Sequence, residues 1–443
     1  MSRKQTIIRG TFILTATGFL CRFMGFFYRM FLSHTFGEEG VGLYQLIFPV
    51  YSLCFSLTAA GLETAISRTV AQKVSLGRKK EAREILLLGL FISLFLSCIC
   101  LFFLQGNAAY IAKNFLGDPR CEPLLIPLSY ALPFAALHSC ICGYCYGMKE
   151  TKIPAVSQLV EQVTRIIAVY IFYMILMKKG DDAPITIAVL GLAIGEMTSA
   201  LYTARSLTCN VHNIFKLNVT LRDFGARFRE LVPLSLPLTA NRVLLNLLQS
   251  IEAISIPARL QMHNHSTSEA LSLYGVLTGM ALPCILFPSA ITSSISIMLM
   301  PTVAEIQTTD NHHEMLDMIR KVAGACFILG LGCCLIFLTL GSWMGSVLFG
   351  SATAGKFIIT LAWICPFLYT NSALLSVING LGKTTSTFLI NSFGLVIRIA
   401  SVFIVIPLFG IQGYLWGMLV SQLAVSLCAI LILYRSLGGG KGR

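Results

Sequence analysis

Two arginines interrupt an apolar run near the start of the chain. Residues 10–32 are long enough to cross a bilayer as a helix, yet Arg22 and Arg29 lie within them. Their spacing is two helical turns, so both side chains share one face. A charge at that depth costs roughly 2.5–3.5 kcal/mol on insertion scales. We therefore expect this face to line a cavity for an anionic substrate. The alternative is that the long side chains reach the headgroups, above all for Arg29 near the helix end.

A second polar stripe lies in the segment 231–258. Arg242, Asn246, Gln249 and Glu252 follow one another at about one helical turn, so they occupy one side of an otherwise apolar helix. We expect this stripe to face the same cavity from the second half of the chain. Hydrogen bonding between helices of the C-terminal bundle is the alternative.

Further charged residues lie inside predicted membrane helices. Glu161 and Arg165 are four residues apart and are expected to pair along one helix face, which favours a structural role. Arg398 has no acid on its own helix. Glu63 and Glu196 are candidate counter-ions, or ion-coupling residues that bind a proton or sodium during transport.

No residue pattern predicts a metal or a cofactor. Cys140, Cys142 and Cys145 have a spacing that resembles metal ligands, but no fourth thiol or histidine pair shares their face. His138 could carry a proton, although a hydrogen-bonded core histidine is the more common case. We therefore predict no metal site and no cofactor.

The composition is that of a polytopic membrane protein. Of the 443 residues, 56% are hydrophobic and 12% charged, and the mean hydropathy is +0.77. The net charge is +13. Because the basic residues lie between apolar segments, a cytoplasmic excess of Lys and Arg explains them, and we predict no nucleic-acid partner.

Apolar runs predict an all-α protein with about twelve transmembrane helices. They cover residues 10–32, 41–64, 85–105, 123–147, 158–177, 185–204, 231–258, 272–300, 322–343, 357–381, 388–409 and 413–434. The basic loop at 66–84 predicts a cytoplasmic position for that loop and for both termini.

An internal repeat supports a division into two halves. It becomes visible when residue n is aligned with residue n + 233. The matched pairs include Pro133 and Pro366, Gly147 and Gly380, and Arg165 and Arg398. We predict two six-helix bundles related by a pseudo-twofold axis along the membrane normal, as in transporters that alternate between two open states. They would be an N-terminal lobe at 1–208 and a C-terminal lobe at 231–443, joined by a cytoplasmic linker at 209–230.

Four stretches carry a family resemblance: GFFYRMFLSHTFGEEGVGLYQLIFPVYSL, LTAAGLETAISRTVAQ, NRVLLNLLQSIEAISIPARLQ and ALSLYGVLTGMALPCILFPSAIT. They resemble the stage V sporulation protein B-like polysaccharide transporters, a branch of the multidrug/oligosaccharidyl-lipid/polysaccharide exporter superfamily. The resemblance implies a two-lobe flippase that moves undecaprenyl-pyrophosphate-linked glycans, such as peptidoglycan precursors, for wall or spore-cortex assembly. It also implies a bacterial cell-membrane location, with membrane lipid and cell-wall synthesis enzymes as partners.

The resemblance also extends to particular residues. Related lipid II flippases carry cavity arginines on helices 1, 2 and 8. Arg22 matches the first helix-1 position, and Arg29 approximates the second with one extra residue in the spacing. Arg68 approximates the helix-2 position. The predicted helix 8 has no arginine, so Arg242 on helix 7 is the candidate replacement. Many relatives have two further C-terminal helices, and we expect no lipid groove built from them here.

Two other function classes compete with a flippase. A cation-coupled multidrug exporter of the same fold should have an acidic or apolar cavity, which two arginines on the first helix argue against. A polyprenyl-phosphate sugar transferase would need paired carboxylates or a metal in a sizeable loop, and the sequence has neither. We therefore predict a transporter and not an enzyme.

Overall fold

The computed structural model describes residues 3–179, 183–210, 221–263, 265–308 and 312–438, and these ranges are helical almost throughout. No β-strand occurs within them. Of the predicted linker at 209–230, residues 211–220 lie outside the described ranges, and residues 221–230 are helical.

The first half of the described chain contains nine α-helices. They are α1 (Arg3–Leu46), α2 (Phe48–Phe55), α3 (Gly61–Ser75), α4 (Lys79–Gly106), α5 (Ala108–Tyr110), α6 (Glu122–Gly147), α7 (Lys152–Lys179), α8 (Thr186–Asn210) and α9 (Leu221–Met262). Two π-helical turns, Ser56–Ala60 and Ile111–Phe115, and a 3₁₀ turn, Pro119–Cys121, join some of them.

Eight α-helices follow in the second half. They are α10 (Thr267–Gly275), α11 (Leu282–Leu286), α12 (Ser289–Thr308), α13 (His312–Phe349), α14 (Ala352–Ala362), α15 (Cys365–Gly380), α16 (Thr384–Ala400) and α17 (Ile406–Gly438). The π-helical segments Val276–Ala281 and Ser401–Val405 connect α10 to α11 and α16 to α17.

Many of these helices are long and apolar enough to cross a membrane. The described residues provide nine such spans, and a tenth if the bent pair α14 and α15 is one span. Two of the spans, Phe12–Ser75 and Thr384–Ser436, have 64 and 53 residues, whereas one crossing needs about 20. Because each of these two has room for two crossings, the described chain can supply the twelve that the sequence predicts.

A glycine interrupts each of the two long spans. Gly37 has φ 68° and ψ −177°, and Gly410 has φ 62° and ψ −155°. This backbone region is open almost only to glycine. The helices predicted at 10–32 and 41–64 leave the eight residues 33–40 between them. In the structure two helical segments meet within this stretch at a kink at Gly37, and the residues on either side of Gly37 keep helical backbone angles.

The chain divides into two compact units. The N-terminal unit consists of Met1–Tyr28 and Leu43–Ser250, and the C-terminal unit of Arg29–Gly42 and Ile251–Arg443. The boundary between the units falls inside both α1 and α9.

Close helix contacts in the N-terminal unit depend on glycine. A Cβ atom at Gly143 of α6 would lie 2.6 Å from the Glu63 carbonyl oxygen, and one at Gly147 would lie 2.7 Å from that of Ser67. Small residues four apart let two helix backbones approach, which is how membrane helices pack without a hydrophobic driving force. The backbone of α3, and Glu63 with it, is thereby held against α6.

One end of the N-terminal unit carries a network of ion pairs. Lys73 Nζ at the end of α3 lies 3.0 Å from a Glu81 oxygen and 2.7 Å from a Glu230 oxygen. Arg227 in α9 lies 2.8 Å from Glu81 and 3.3 Å from Glu84. The network connects the start of α9 to α3 and α4, within the segments that the sequence predicts to be cytoplasmic.

The predicted repeat can be compared with the helix boundaries of the two halves. The helices α6 and α15 end at residues 147 and 380, which are separated by the predicted 233 residues. The helices that follow them, α7 and α16, begin at residues 152 and 384, a separation of 232 residues. These boundaries agree with the predicted offset to within one residue.

Candidate functional site

Two glycines of α8 position a charged pair on α7. A Cβ atom at Gly195 would lie 2.9 Å from the Glu161 carbonyl oxygen, and one at Gly191 would lie 3.1 Å from that of Arg165. The two helices can approach this closely only because these positions have no side chain. The contact brings Glu196 of α8, the neighbour of Gly195, towards Glu161.

Five side chains form what we call the N-unit polar cluster: Tyr51, His138, Glu161, Arg165 and Glu196. Glu161 and Arg165 form an ion pair along α7, which confirms the pairing predicted from their spacing. The Tyr51 hydroxyl donates to Glu196 Oε1 at 2.9 Å. His138 Nδ1 lies 3.9 Å from Glu196 Oε2, and its Nε2 lies 2.9 Å from the Ser157 hydroxyl. Glu196 is 8% exposed.

The cluster has the dimensions of an ion site. One ligand atom each from His138, Glu161 and Glu196 lies within 4.8 Å of the other two. However, the Arg165 guanidinium already pairs with Glu161, so a metal cation would meet a like charge beside it. We assign no metal ligands here, and the chemistry that remains for these side chains is hydrogen bonding and proton transfer.

The C-terminal unit has its own buried ion pair. Arg398 of α16 donates to Glu252 Oε2 at 2.6 Å, and the Tyr414 hydroxyl donates to Glu252 Oε1 at 2.6 Å. The residue predicted to balance Arg398 was Glu63 or Glu196, but the structure pairs it with Glu252. Both oxygens of this predicted substrate ligand are therefore engaged by the protein itself.

Glu63 lies beside the second predicted stripe. Its carboxylate accepts a hydrogen bond from Ser139 at 2.8 Å and interacts electrostatically with Arg242. The Gly61 backbone, close to Glu63 in α3, packs directly on Thr239 of α9. Within the N-terminal unit, the structure thus brings Glu63 and Arg242 together, although the sequence assigned them different roles.

The four stripe residues divide into two groups. Arg242 and Gln249 are exposed, whereas Asn246 hydrogen-bonds the Ser56 hydroxyl and Glu252 is buried in its ion pair. The alternative of hydrogen bonding between helices thus describes the contacts of Asn246 and Glu252. The partner of Asn246 lies in the N-terminal unit.

The remaining predicted arginines also differ in their surroundings. Arg22 on α1 and Arg68 on α3 are exposed in the N-terminal unit and form no ion pair or hydrogen bond with the described residues. Arg29 is half-buried in the C-terminal unit and donates to the Thr278 carbonyl oxygen at 3.3 Å. Arg22 and Arg68 therefore have guanidinium groups available to a ligand.

Several hydrogen-bond partners in these sites were not predicted from the sequence. Tyr51 and Tyr414 each donate to a buried glutamate, and Ser139 and Ser157 bind Glu63 and His138. Tyr and Ser are common in membrane helices, so composition did not single them out. The only signal was that each buried acid inside a membrane helix needs a hydrogen-bond donor.

The chain is similar to several known proteins. The model of the family described as polysaccharide biosynthesis protein matches residues 7–307. Stage V sporulation protein B of Bacillus subtilis (strain 168) is 29% identical over 430 residues, covering 96% of this chain and 83% of that protein. Lipid II flippase MurJ of the same organism is 30% identical over 169 residues, covering 36% of this chain and 31% of that protein.

Two solved structures establish the fold. An inward-facing multidrug resistance MATE family transporter of the MOP superfamily has a TM-score of 0.74 at 15% identity, covering 94% of each chain. Lipid II flippase MurJ in an inward closed conformation has a TM-score of 0.73 at 14% identity, covering 95% of this chain and 87% of that one. These similarities confirm the predicted polytopic, all-helical fold. Since the family model matches more than half of its residues, the chain belongs to the polysaccharide biosynthesis protein family.

Proposed function

We propose that this protein flips a lipid-linked glycan precursor across the bacterial cytoplasmic membrane by alternating access. The proposed substrate is an undecaprenyl-pyrophosphate-linked glycan used in cell-wall or spore-cortex assembly, and cell-wall synthesis enzymes are proposed partners. Both termini are proposed to be cytoplasmic. The similarity to stage V sporulation protein B and to a lipid II flippase supports this class of substrate.

The observation that carries the proposal is the contrast between two kinds of arginine. Arg165 and Arg398 are each paired with a buried glutamate, so their charges are balanced inside the protein. Arg22 and Arg242 also lie within membrane-spanning segments, yet they are exposed and make no hydrogen bond with the described residues, although Arg242 interacts electrostatically with Glu63. Charged side chains at membrane depth are rare and mark substrate pathways.

A pyrophosphate fits such arginines chemically. A guanidinium presents its N–H donors in a planar fork that can bind two phosphate oxygens at once. We propose Arg22, Arg29, Arg68 and Arg242 as phosphate contacts, with Gln249 as a polar neighbour. Asn246 and Glu252, which the sequence placed with them, are proposed to support the site through the contacts that they make within the protein.

A multidrug exporter is the second candidate. The TM-score of 0.74 to a MATE family transporter favours it, but fold similarity at 15% identity does not define a substrate. A cavity for cationic drugs would be expected to present acids, whereas the exposed residues proposed as contacts on α1, α3 and α9 include three arginines and no acid.

The proposal is tested with Arg22→Ala and Arg22→Lys, reconstituted in proteoliposomes with lipid II as the probe. We expect Arg22→Ala to be made in normal amounts but to lose flipping and binding, because no partner in the described residues depends on it. Arg22→Lys should recover only part of the affinity, since an ammonium cannot make the two-pronged contact. Arg205→Ala, which removes an exposed arginine of α8 outside the proposed site, is the matched control.

Two results would contradict the proposal. One is Arg22→Ala binding lipid II with unchanged affinity. The other is wild-type protein that fails to flip lipid II but exports a cationic dye such as ethidium, which would favour the multidrug exporter.

A further inference from the structure

The N-unit polar cluster has a gap between two hydrogen-bond acceptors. The Ser157 hydroxyl donates its hydrogen to the Pro154 carbonyl oxygen at 2.8 Å. His138 Nε2 lies 2.9 Å from the same hydroxyl oxygen, and while that hydroxyl keeps its hydrogen on the Pro154 carbonyl, the histidine is the donor in this contact. In the neutral imidazole, the hydrogen is then on Nε2, and Nδ1 presents a lone pair.

That lone pair faces a carboxylate oxygen. Nδ1 of His138 lies 3.9 Å from Glu196 Oε2, which is too far for a hydrogen bond. The other carboxylate oxygen, Oε1, already accepts from Tyr51. Within the described residues, Oε2 therefore has no hydrogen-bond donor, although Glu196 is only 8% exposed. Two acceptors that face each other repel, unless a hydrogen lies between them.

The charges of the cluster also indicate a hydrogen between His138 and Glu196. When Glu161 and Glu196 are both ionised, they supply two negative charges against the one positive charge of Arg165, so the cluster needs one further proton to be neutral. A buried charge without a partner is strongly unfavourable in a membrane helix bundle. A single proton on His138 would create an imidazolium beside Glu196 and make the cluster neutral.

We propose that the gap between His138 and Glu196 holds one exchangeable proton, and that its uptake and release are coupled to transport. In the step, His138 Nδ1 accepts a proton from water, and the imidazolium that forms lies beside Glu196 Oε2 and balances its charge. The reverse step returns the proton to water. The coupling part rests on the proposed flippase function, whereas the proton site stands on the geometry alone.

No other polar group that the structure describes around the cluster supplies a positive charge to balance Glu196. The side chains that face it from the neighbouring helices are Cys21, Tyr28 and Tyr44 of α1, Tyr51 of α2, Cys142 of α6, and Glu161 and Arg165 of α7. Arg165 is the one permanent cation among them, and it is engaged by Glu161. Neutrality of the cluster therefore requires a proton in the gap between His138 and Glu196.

The first experiment measures protonation without any substrate. Infrared difference spectra of purified protein between acid and alkaline pH should show one titrating group that is lost in both His138→Gln and Glu196→Gln. Glu150→Gln, which changes an exposed carboxylate, is the control and should keep that signal. Tyr51→Phe removes the donor to Oε1, destabilises the carboxylate, and should shift the titration to higher pH. An unchanged titration in His138→Gln would overturn the site.

The second experiment measures coupling in proteoliposomes that contain lipid II. A pH gradient should accelerate flipping by the wild-type protein and by Glu150→Gln, but the acceleration should be lost in His138→Gln. A sodium gradient that accelerates flipping when a pH gradient does not would overturn the coupling. If the wild-type protein flips no lipid II, the proposed function fails, while the infrared titration still decides whether the proton site exists.

Discussion

Replacing Arg398 or Glu252 should destabilise the C-terminal unit by different amounts. Losing one partner of a buried ion pair costs about 3–5 kcal/mol. The Glu252 side chain is 6% exposed and that of Arg398 is 26% exposed. Arg398→Ala leaves a deeply buried carboxylate with only Tyr414 as a donor, so we expect a loss of about 5 kcal/mol. Glu252→Ala leaves a partly exposed guanidinium on a flexible stem, so we expect about 3 kcal/mol.

Removing both charges together should cost less than Arg398→Ala alone. The double variant Glu252→Leu with Arg398→Met buries no uncompensated charge. It does leave the Tyr414 hydroxyl without its acceptor, which costs about 1–3 kcal/mol. We therefore expect the double variant to lose about 1–3 kcal/mol, less than Arg398→Ala alone.

The assay is reversible unfolding in mixed micelles by titration with a denaturing detergent, in which the double variant is compared with the two single variants. Arg22→Ala is the control, because this exposed arginine has no partner among the described residues and should leave stability unchanged. The reasoning is wrong if the double variant is less stable than Arg398→Ala, or if Glu252→Ala is the more damaging single change.

Three further predictions concern other parts of the chain. Lys73→Met should lower stability by about 1–3 kcal/mol, because Lys73 joins two acids. Lys80→Met should change stability by less than about 0.5 kcal/mol in the same unfolding assay, since the Lys80 side chain is exposed. Gly37→Ala should destabilise the protein by about 1–3 kcal/mol through backbone strain. Gly18→Ala, in a regular helix with free space around it, should leave stability unchanged, and equal effects of the two substitutions would contradict the kink at Gly37. Lys79→Cys in a cysteine-free background should react with an impermeant maleimide only after cells are opened, and labelling of intact cells would reverse the predicted topology.

Local spacing predicted some features of this protein well. The pairing of Glu161 with Arg165 follows from a four-residue separation on one helix, which needs no knowledge of the fold. The helix content and the spans follow in the same way from apolar runs. The ends of α6 and α15 lie 233 residues apart, which is the offset that a few matched residues predicted.

Partners on different helices could not be predicted in this way. Glu252 and Arg398 are 146 residues apart, and only the packing of α9 against α16 and α17 brings them together. The stripe on α9 indicated polarity at one face, but it could not distinguish a wet cavity from contacts within the protein. The facing acceptors of His138 and Glu196 were hidden for the same reason, because the donor direction at His138 depends on Ser157 in another helix.

Arg165 and Arg398 occupy equivalent positions in the two halves of the chain. The glutamates that pair with them, Glu161 and Glu252, do not. The acid for Arg165 comes from its own helix, whereas the acid for Arg398 comes from α9. If gene duplication produced the halves, the counter-charge moved from one helix to another afterwards. A guanidinium has five N–H donors and accepts a carboxylate from several directions, so such a move need not displace the arginine. Selection would then act on the charge balance of each half, and homologous chains should retain the arginine position while the position of the acid drifts.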